Sequence, residues 1–275
     1  MLLCWLQVRS AGGQLVLRVE DVDSTRARAE ADAALHVDLA WLGFDWDEGP
    51  DVGGPFGPYR QSERTHLYEA ALDALDDRLF SCSCTRKEVR AASEEGGELR
   101  YAGMCRDGML FPDRPTSLRI RVEPQIVTWT DQAIGELSED PSKVCGDFVL
   151  QGKNGDYNYQ LACVVDDIAM GITHVLRGED LLTSTARQIL LHRWLGAEPP
   201  TFAHVALRVD PSGERLAKSR GSRPIAAVRD EGQDPKEVLG SIAADLGLLE
   251  QAEAVVPSDL LAAFAARFPE LIVDR

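Results

Sequence analysis

The feature that most restricts what this chain can fold into is an alternation of short, strand-like apolar runs with segments of helical character. Gln14-Leu15-Val16-Leu17-Arg18-Val19 reads as a strand that ends in the acidic cluster Glu20-Asp21-Val22-Asp23. Before it, residues 1–9 place Leu2, Leu3 and Leu6 on one side, as at the end of an amphipathic helix closed by Gly12-Gly13. After it, the spacing predicts a helix from about Thr25 to Leu42, ended by Gly43, and a loop rich in proline and glycine from Phe44 to Tyr59. Ser62 is placed to cap a further helix to about Asp77, and Leu79 to Cys84 resumes strand character. Such alternation belongs to α/β proteins, in which helices supply the crossovers that parallel strands need.

Between about 85 and 158 the rhythm changes. A short helix opened by the capping box Thr85-Arg86-Lys87-Glu88 gives way to turns and short strands such as Ser117 to Val122, which reads as an insertion into the sheet domain. The α/β rhythm returns with the runs Leu161 to Val165 and Ile172 to Leu176, a helix around Thr185 to Leu195, and the run Phe202 to Val209, each short apolar run being taken as a strand. Helices are expected near 235–247 and 257–268. The organisation expected is 1–84 as the first half of an α/β domain, 85–158 as an inserted subdomain, 159–225 as the second half, and 226–275 as a short helical C-terminal region.

Composition narrows the class. The 275 residues, 44% apolar, suffice for one large core or two modest ones. Apolar stretches such as Leu260 to Phe264 fall far short of the roughly 20 residues that span a bilayer. The apolar start, Met1 to Leu6, has neither a basic leader nor a cleavage pattern, so a cytoplasmic protein is expected. The net charge of −16 argues against a polyanionic partner, yet 80–121 and 173–223 carry +2 and +3, which leaves −21 elsewhere. RNA contact is therefore confined to a restricted face and should be salt-sensitive.

Three groups of residues carry chemistry. The basic loop Arg215-Leu216-Ala217-Lys218-Ser219-Arg220 follows the strand-like run His204 to Val209 and the turn Asp210-Pro211-Ser212-Gly213. A mobile lysine beside a serine hydroxyl suits a phosphate chain, although a solvated polar turn reads the same way. Six cysteines in a cytoplasmic chain point to thiols or metal ligands rather than disulfides. Cys82 and Cys84 share one turn, and Tyr101 and Cys105 return after the Gly96-Gly97 link, a pattern open to zinc or to buried, idle thiols. Glu20, at the end of a strand where such sheets place ligand groups, is the binding candidate, with an exposed turn acid as the competing reading.

Several segments together resemble the catalytic core of class I glutamyl-tRNA synthetases. They are Leu17-Arg18-Val19-Glu20-Asp21-Val22-Asp23 with Arg26, Leu42-Gly43-Phe44-Asp45-Trp46-Asp47, Gly57-Pro58-Tyr59-Arg60-Gln61-Ser62-Glu63-Arg64, Val175-Leu176-Arg177-Gly178-Glu179-Asp180-Leu181 and the 215–220 loop, which stands where that class carries its KMSKS signature. Only 55 residues follow that loop in a chain of 275, too few for the large anticodon-binding region of glutamyl-tRNA synthetases. The chain is therefore most similar to the short paralogous family, the glutamyl-queuosine tRNA(Asp) synthetases.

That resemblance implies a class I Rossmann-like parallel sheet with an inserted zinc-containing α+β subdomain and a short helical C-terminal extension. It implies a ligase that activates glutamate with ATP, without needing tRNA for that step, and transfers it to queuosine in the anticodon of tRNA(Asp). Glu20 would take the substrate amine, and Tyr159 and Arg177 the carboxylate end. Arg215, Leu216, Ala217, Lys218 and Ser219 would form the ATP-binding loop with Lys218 as the catalytic residue, and Mg²⁺ would accompany ATP. Structural zinc would be held by Cys82, Cys84, Tyr101 and Cys105. A monomer without membrane or DNA partners is expected. The alternatives are a truncated glutamyl-tRNA synthetase catalytic fragment and a non-catalytic RNA-binding remnant.

The resemblance begins partway through a first helix. The preceding strand, a glutamate-binding Arg/Ser turn and the HIGH signature that holds ATP phosphates have no counterpart, and roughly 20 residues would supply the strand and turn. In a doubly wound sheet that strand is central, and losing it removes on the order of 10 backbone hydrogen bonds at roughly 1 kcal/mol each. The expectation is that Met1 is an internal methionine of a longer protein; activity of the chain as it stands is left open.

Overall fold

The computed structural model describes residues 1–22, 29–93, 99–207 and 223–273, with no side-chain description for 29–33. The whole basic loop, Arg215 to Arg220, lies outside the described residues, as do Asp23, Arg26 and the Gly96-Gly97 link.

Helix α1 (Leu2–Ala11) ends where Gly12 turns left-handed at φ 63°. Helix α2 (Ala29–Trp41) precedes Gly43 and the proline-rich loop, and α3 (Thr65–Ala74) leads to strand β1 (Leu79–Cys82). Next come α4 (Arg86–Ala91), β2 (Ser117–Ile120), β3 (Val127–Asp131), β4 (Gly135–Glu139), α5 (Pro141–Val144) and β5 (Val149–Gln151). Then follow α6 (Tyr159–Ala169), β6 (His174–Gly178), α7 (Leu182–Trp194), β7 (Thr201–Val205), α8 (Ile225–Asp230), α9 (Pro235–Asp245) and α10 (Leu261–Arg267).

Two sheets result. One has the order β4-β3-β7-β6, parallel from β3 through β7 to β6, with β4 closing a hairpin on β3; the other is antiparallel in the order β1-β2-β5. The β3–β4 hairpin thus extends the edge of the parallel sheet, and β1 pairs with β2. One core packs Tyr68, Leu72, Leu161, Val165, Ile189 and Phe202 between α3, α6, α7 and the sheet. A second joins α1 to the C-terminal helices through Leu6, Leu39, Leu239, Leu260 and Phe264. No helix among the described residues is long and apolar enough to cross a membrane.

Three local expectations differ from what forms. Leu161 to Val165 is helical: Asn158 caps α6 by accepting from the Gln160 N–H at 3.0 Å, and the run is apolar because every residue from Leu161 to Val165 is buried. An apolar run of that length does not distinguish a buried strand from a buried helix. Gln14 to Val19 is extended but makes only single parallel bridges, Val16 to Glu48 and Val19 to Arg60. Its partners lie between Asp47 and Gln61, a stretch whose prolines lack the N–H that a continuous ladder requires. Ser62 does not cap α3; its N–H and hydroxyl both donate to the Asp21 carboxylate, at 2.9 and 2.7 Å. The capping box at Thr85 and Glu88 forms as expected, with Glu88 Oε2 accepting from the Thr85 N–H at 2.7 Å.

Candidate active site

A cleft of about 1240 Å³ is lined by Glu20, Asp21, Thr85, Arg86, Lys153 and Tyr159, among others. Glu20 stands at the end of the extended run 14–19, and Tyr159 is the first residue of α6. The side chain of Glu20 is 41% exposed, so its carboxylate is available to the cleft.

That carboxylate is held from behind. Arg18 donates to Glu20 Oε1 at 3.1 Å and the Cys163 thiol donates to the same oxygen at 3.3 Å. Arg18 is itself tied to Asp167 Oδ1 at 2.6 Å. Burial pushes the Cys163 thiol well up, and the Glu20 carboxylate beside it acts in the same direction, so Cys163 stays a neutral donor. Tyr159 is likewise held above its ordinary value, first by burial and then by Cys163 and Glu20, which leaves its hydroxyl protonated and able to donate. Arg177, on β6, is half-buried and not among the residues that line the cleft, but its charge acts on Tyr159. The structure therefore brings Glu20, Tyr159 and Arg177 into one neighbourhood, an anion, a neutral hydroxyl and a cation. Their chemistry suits a small zwitterion.

Beneath the cleft, Asp166 is fully buried and accepts from Arg64 Nε at 2.6 Å and from Gln61 and the Tyr68 hydroxyl at 2.9 Å each. These residues, with Arg18, Cys163 and Asp167, were not among the expected site residues. Arg18 could have been found from the two-residue strand period that puts it on the same face as Glu20. Cys163 was hidden by the strand assignment: four residues span about 13 Å in a strand but about 6 Å in a helix, where positions i and i+4 are neighbours.

Cys82, Cys84 and Cys105 converge with their sulfurs all within 4.8 Å of one another, in a small buried core with Phe80, Val89 and Tyr101. The Tyr101 hydroxyl lies 3.3 Å from Cys82 Sγ and accepts the Cys105 N–H at 2.8 Å. Burial and its neighbours Cys105 and Cys82 push Cys84 up to about 12. Burial opposes ionisation of Cys105 too, but hydrogen bonds from the Leu110 and Ser83 backbone, Cys84 and Tyr101 together outweigh it and bring Cys105 down to about 6. The knuckle is pinned by Arg106, which grips Asp147 through Nε at 3.0 Å and Nη2 at 2.6 Å. Tyr101 also crosses Gly146 so closely that a Cβ there, at φ 65°, would sit 2.2 Å from the Tyr101 carbonyl oxygen.

Residues 1–259 match the family described as tRNA synthetases class I (E and Q), catalytic domain. Among known proteins the chain is similar to the glutamyl-Q tRNA(Asp) synthetase of Symbiobacterium thermophilum, with 44% identity over 98% of this chain and 87% of that one. It is also similar to a glutamate–tRNA ligase of the same organism, with 39% identity over 86% of this chain and 52% of that one. The crystal structure of the glutamate-tRNA synthetase from Elizabethkingia anophelis superposes with a TM-score of 0.80 at 27% identity, covering 97% of this chain and 62% of the other. The chain thus spans about three fifths of that solved structure.

Proposed function

The chain belongs to the class I tRNA synthetases for E and Q, and on that premise we propose that it activates glutamate with ATP and transfers it to queuosine of tRNA(Asp). The observation that carries the proposal is the Glu20 carboxylate, presented to the cleft and braced by Arg18 and Cys163, with the protonated Tyr159 hydroxyl beside it. Glu20 receives the substrate ammonium, while Tyr159 and Arg177 serve the carboxylate end. An oxygen of the substrate's α-carboxylate attacks the α-phosphorus of ATP, the bond to pyrophosphate breaks, and the glutamyl-adenylate then passes its acyl group to the acceptor with release of AMP. No side chain needs to act as a nucleophile, so the protein's part is position and electrostatics. Mg²⁺ enters with ATP, and the 215–219 loop contacts the phosphates.

A glutamyl-tRNA synthetase fragment is the weaker reading, because the chain covers 87% of the glutamyl-Q relative but 52% of the glutamate–tRNA ligase. Incubation with radiolabelled glutamate and ATP separates the two. Label is expected on queuosine-containing tRNA(Asp) and on neither unmodified tRNA(Asp) nor tRNA(Glu); label on tRNA(Glu) would reverse the assignment.

We assign the thiol cluster to structural zinc, with Tyr101 as fourth ligand. A tetrahedron with zinc–sulfur bonds near 2.3 Å has edges of about 3.8 Å. The Cys84–Cys105 separation of 3.5 Å and the 4.8 Å bound on all three sulfurs fit it with small adjustments. Zinc there would bind the turn after β1 to the 101–105 turn. About one zinc per chain is expected by plasma mass spectrometry, and Cys105→Ser should release most of it and lower the melting temperature. Full zinc content in that variant would remove Cys105 from the ligand set.

A further inference from the structure

Arg177 is fixed by a chain of buried groups that begins on β3. Asp131, at the end of β3, and His204, on β7, have fully buried side chains, and Asp131 Oδ2 lies 2.5 Å from His204 Nδ1. The other oxygen, Oδ1, accepts backbone N–H groups of His204 at 3.1 Å, Ala133 at 3.1 Å and Ile134 at 3.2 Å, which holds the carboxylate in one orientation. With Nδ1–H donated to Asp131, the lone pair of His204 Nε2 faces outward and accepts from Arg177 Nε at 3.0 Å. Arg177 Nη1 donates to Gln188 Oε1 at 2.7 Å, Nη2 donates to the Thr185 hydroxyl at 3.0 Å, and the guanidinium lies 5.0 Å from the Phe202 ring centre. A long, rotamer-rich side chain is thereby held in one place before any ligand arrives, which lowers the entropic cost of using it.

We propose that Asp131 and His204 are positioning residues that hold the Arg177 guanidinium for the substrate carboxylate, and that they do so only while His204 is uncharged. The inference rests on the glutamate reading above and adds a role for β3, since that strand supplies the acid. Four groups face His204: Asp131 from β3, Arg177 from β6, Asp180 from the turn after β6, and the Thr185 hydroxyl from α7. Burial lowers the proton affinity of His204, Asp131 raises it and Arg177 lowers it again, for a net position below the ordinary 6.5. At neutral pH the ring is therefore neutral. A proton on Nε2 would set an N–H against the Arg177 N–H and place two cations in contact, so the arrangement holds above pH 6.5 and is lost as pH falls through the lower folded-state value.

Two variants test this in glutamate-dependent ATP–pyrophosphate exchange. His204→Ala removes the acceptor and is expected to raise KM for glutamate about tenfold while leaving KM for ATP unchanged. His204→Gln can place an amide oxygen near the position of Nε2 and donate to Asp131, but it does not titrate. Its glutamate KM should stay close to wild type near pH 7.5 and remain flat as pH falls, whereas wild-type KM climbs as pH falls through the folded-state value of His204, below 6.5. A wild-type climb that persists in His204→Gln, or an unchanged glutamate KM in His204→Ala, overturns the positioning role and leaves the glutamate reading standing. Wild-type protein without any glutamate-dependent exchange sinks that reading, and this inference with it. Should His204→Ala fail to fold, the pH profile of His204→Gln still decides.

Discussion

Asp166→Ala is expected to lower the unfolding free energy by about 3–5 kcal/mol, because it strips the counter-ion from a buried charge. Arg64 is 2% exposed and Asp166 not at all, and their contact at 2.6 Å is the only charge pairing Arg64 makes among the described residues. Arg64 Nη1 donates to the Phe56 and Pro58 carbonyls at 2.9 and 2.7 Å, which accept hydrogen bonds but do not neutralise the cation. The substitution also orphans the Gln61 amide and the Tyr68 hydroxyl, each of which loses its 2.9 Å partner. Leaving one donor of a buried set unmatched costs roughly 1–3 kcal/mol by itself.

The neighbouring Asp167→Ala should cost much less. Its partner Arg18 keeps Glu20 at 3.1 Å and has Asp166 at 3.9 Å. Urea titration of both variants gives the comparison, and a loss below about 1 kcal/mol for Asp166→Ala would mean that the Arg64 charge is compensated elsewhere. Because Gln61 and Arg18 lie between this hub and the cleft, the same variant should also weaken glutamate binding. Stability and site geometry are one structure here.

How much of this was visible beforehand depends on the physical origin of each feature. The helices at 2–11 and 235–245, and the box at Thr85 and Glu88, follow from local spacing and capping, which sequence displays directly. The convergence of Cys82, Cys84, Tyr101 and Cys105 was legible as a pattern, since two short turns bring the four together. Pairing across long separations was not. Nothing local indicates that β1 joins β2 and β5, or that the β3–β4 hairpin extends the parallel sheet. The same limit concealed the contacts that organise the cleft: Arg18 meets Asp167 149 positions away, and Asp131 meets His204 73 positions away. Glu20, Tyr159 and Arg177 could be named from resemblance, but their bracing is a property of the tertiary structure.

The largest effect on activity is expected from Lys218→Ala. Strands β6 and β7 run parallel, and β6 delivers Arg177 and Gly178 toward its carboxyl end. In open α/β sheets that end is where ligands bind. As glutamate attacks the α-phosphorus, negative charge gathers on the departing pyrophosphate and is greatest in the transition state. An ammonium placed there stabilises the transition state more than the bound substrates, so its loss should appear in kcat rather than in KM. Removal of one cation that stabilises the departing charge is expected to cost about 3–4 kcal/mol, or roughly 10²–10³ in the rate of ATP–pyrophosphate exchange. Zinc content and the glutamate KM are expected to be unchanged. Lys218→Arg, which keeps the charge at a different reach, should retain part of the rate. Exchange in Lys218→Ala within about tenfold of wild type would assign the charge stabilisation to another group.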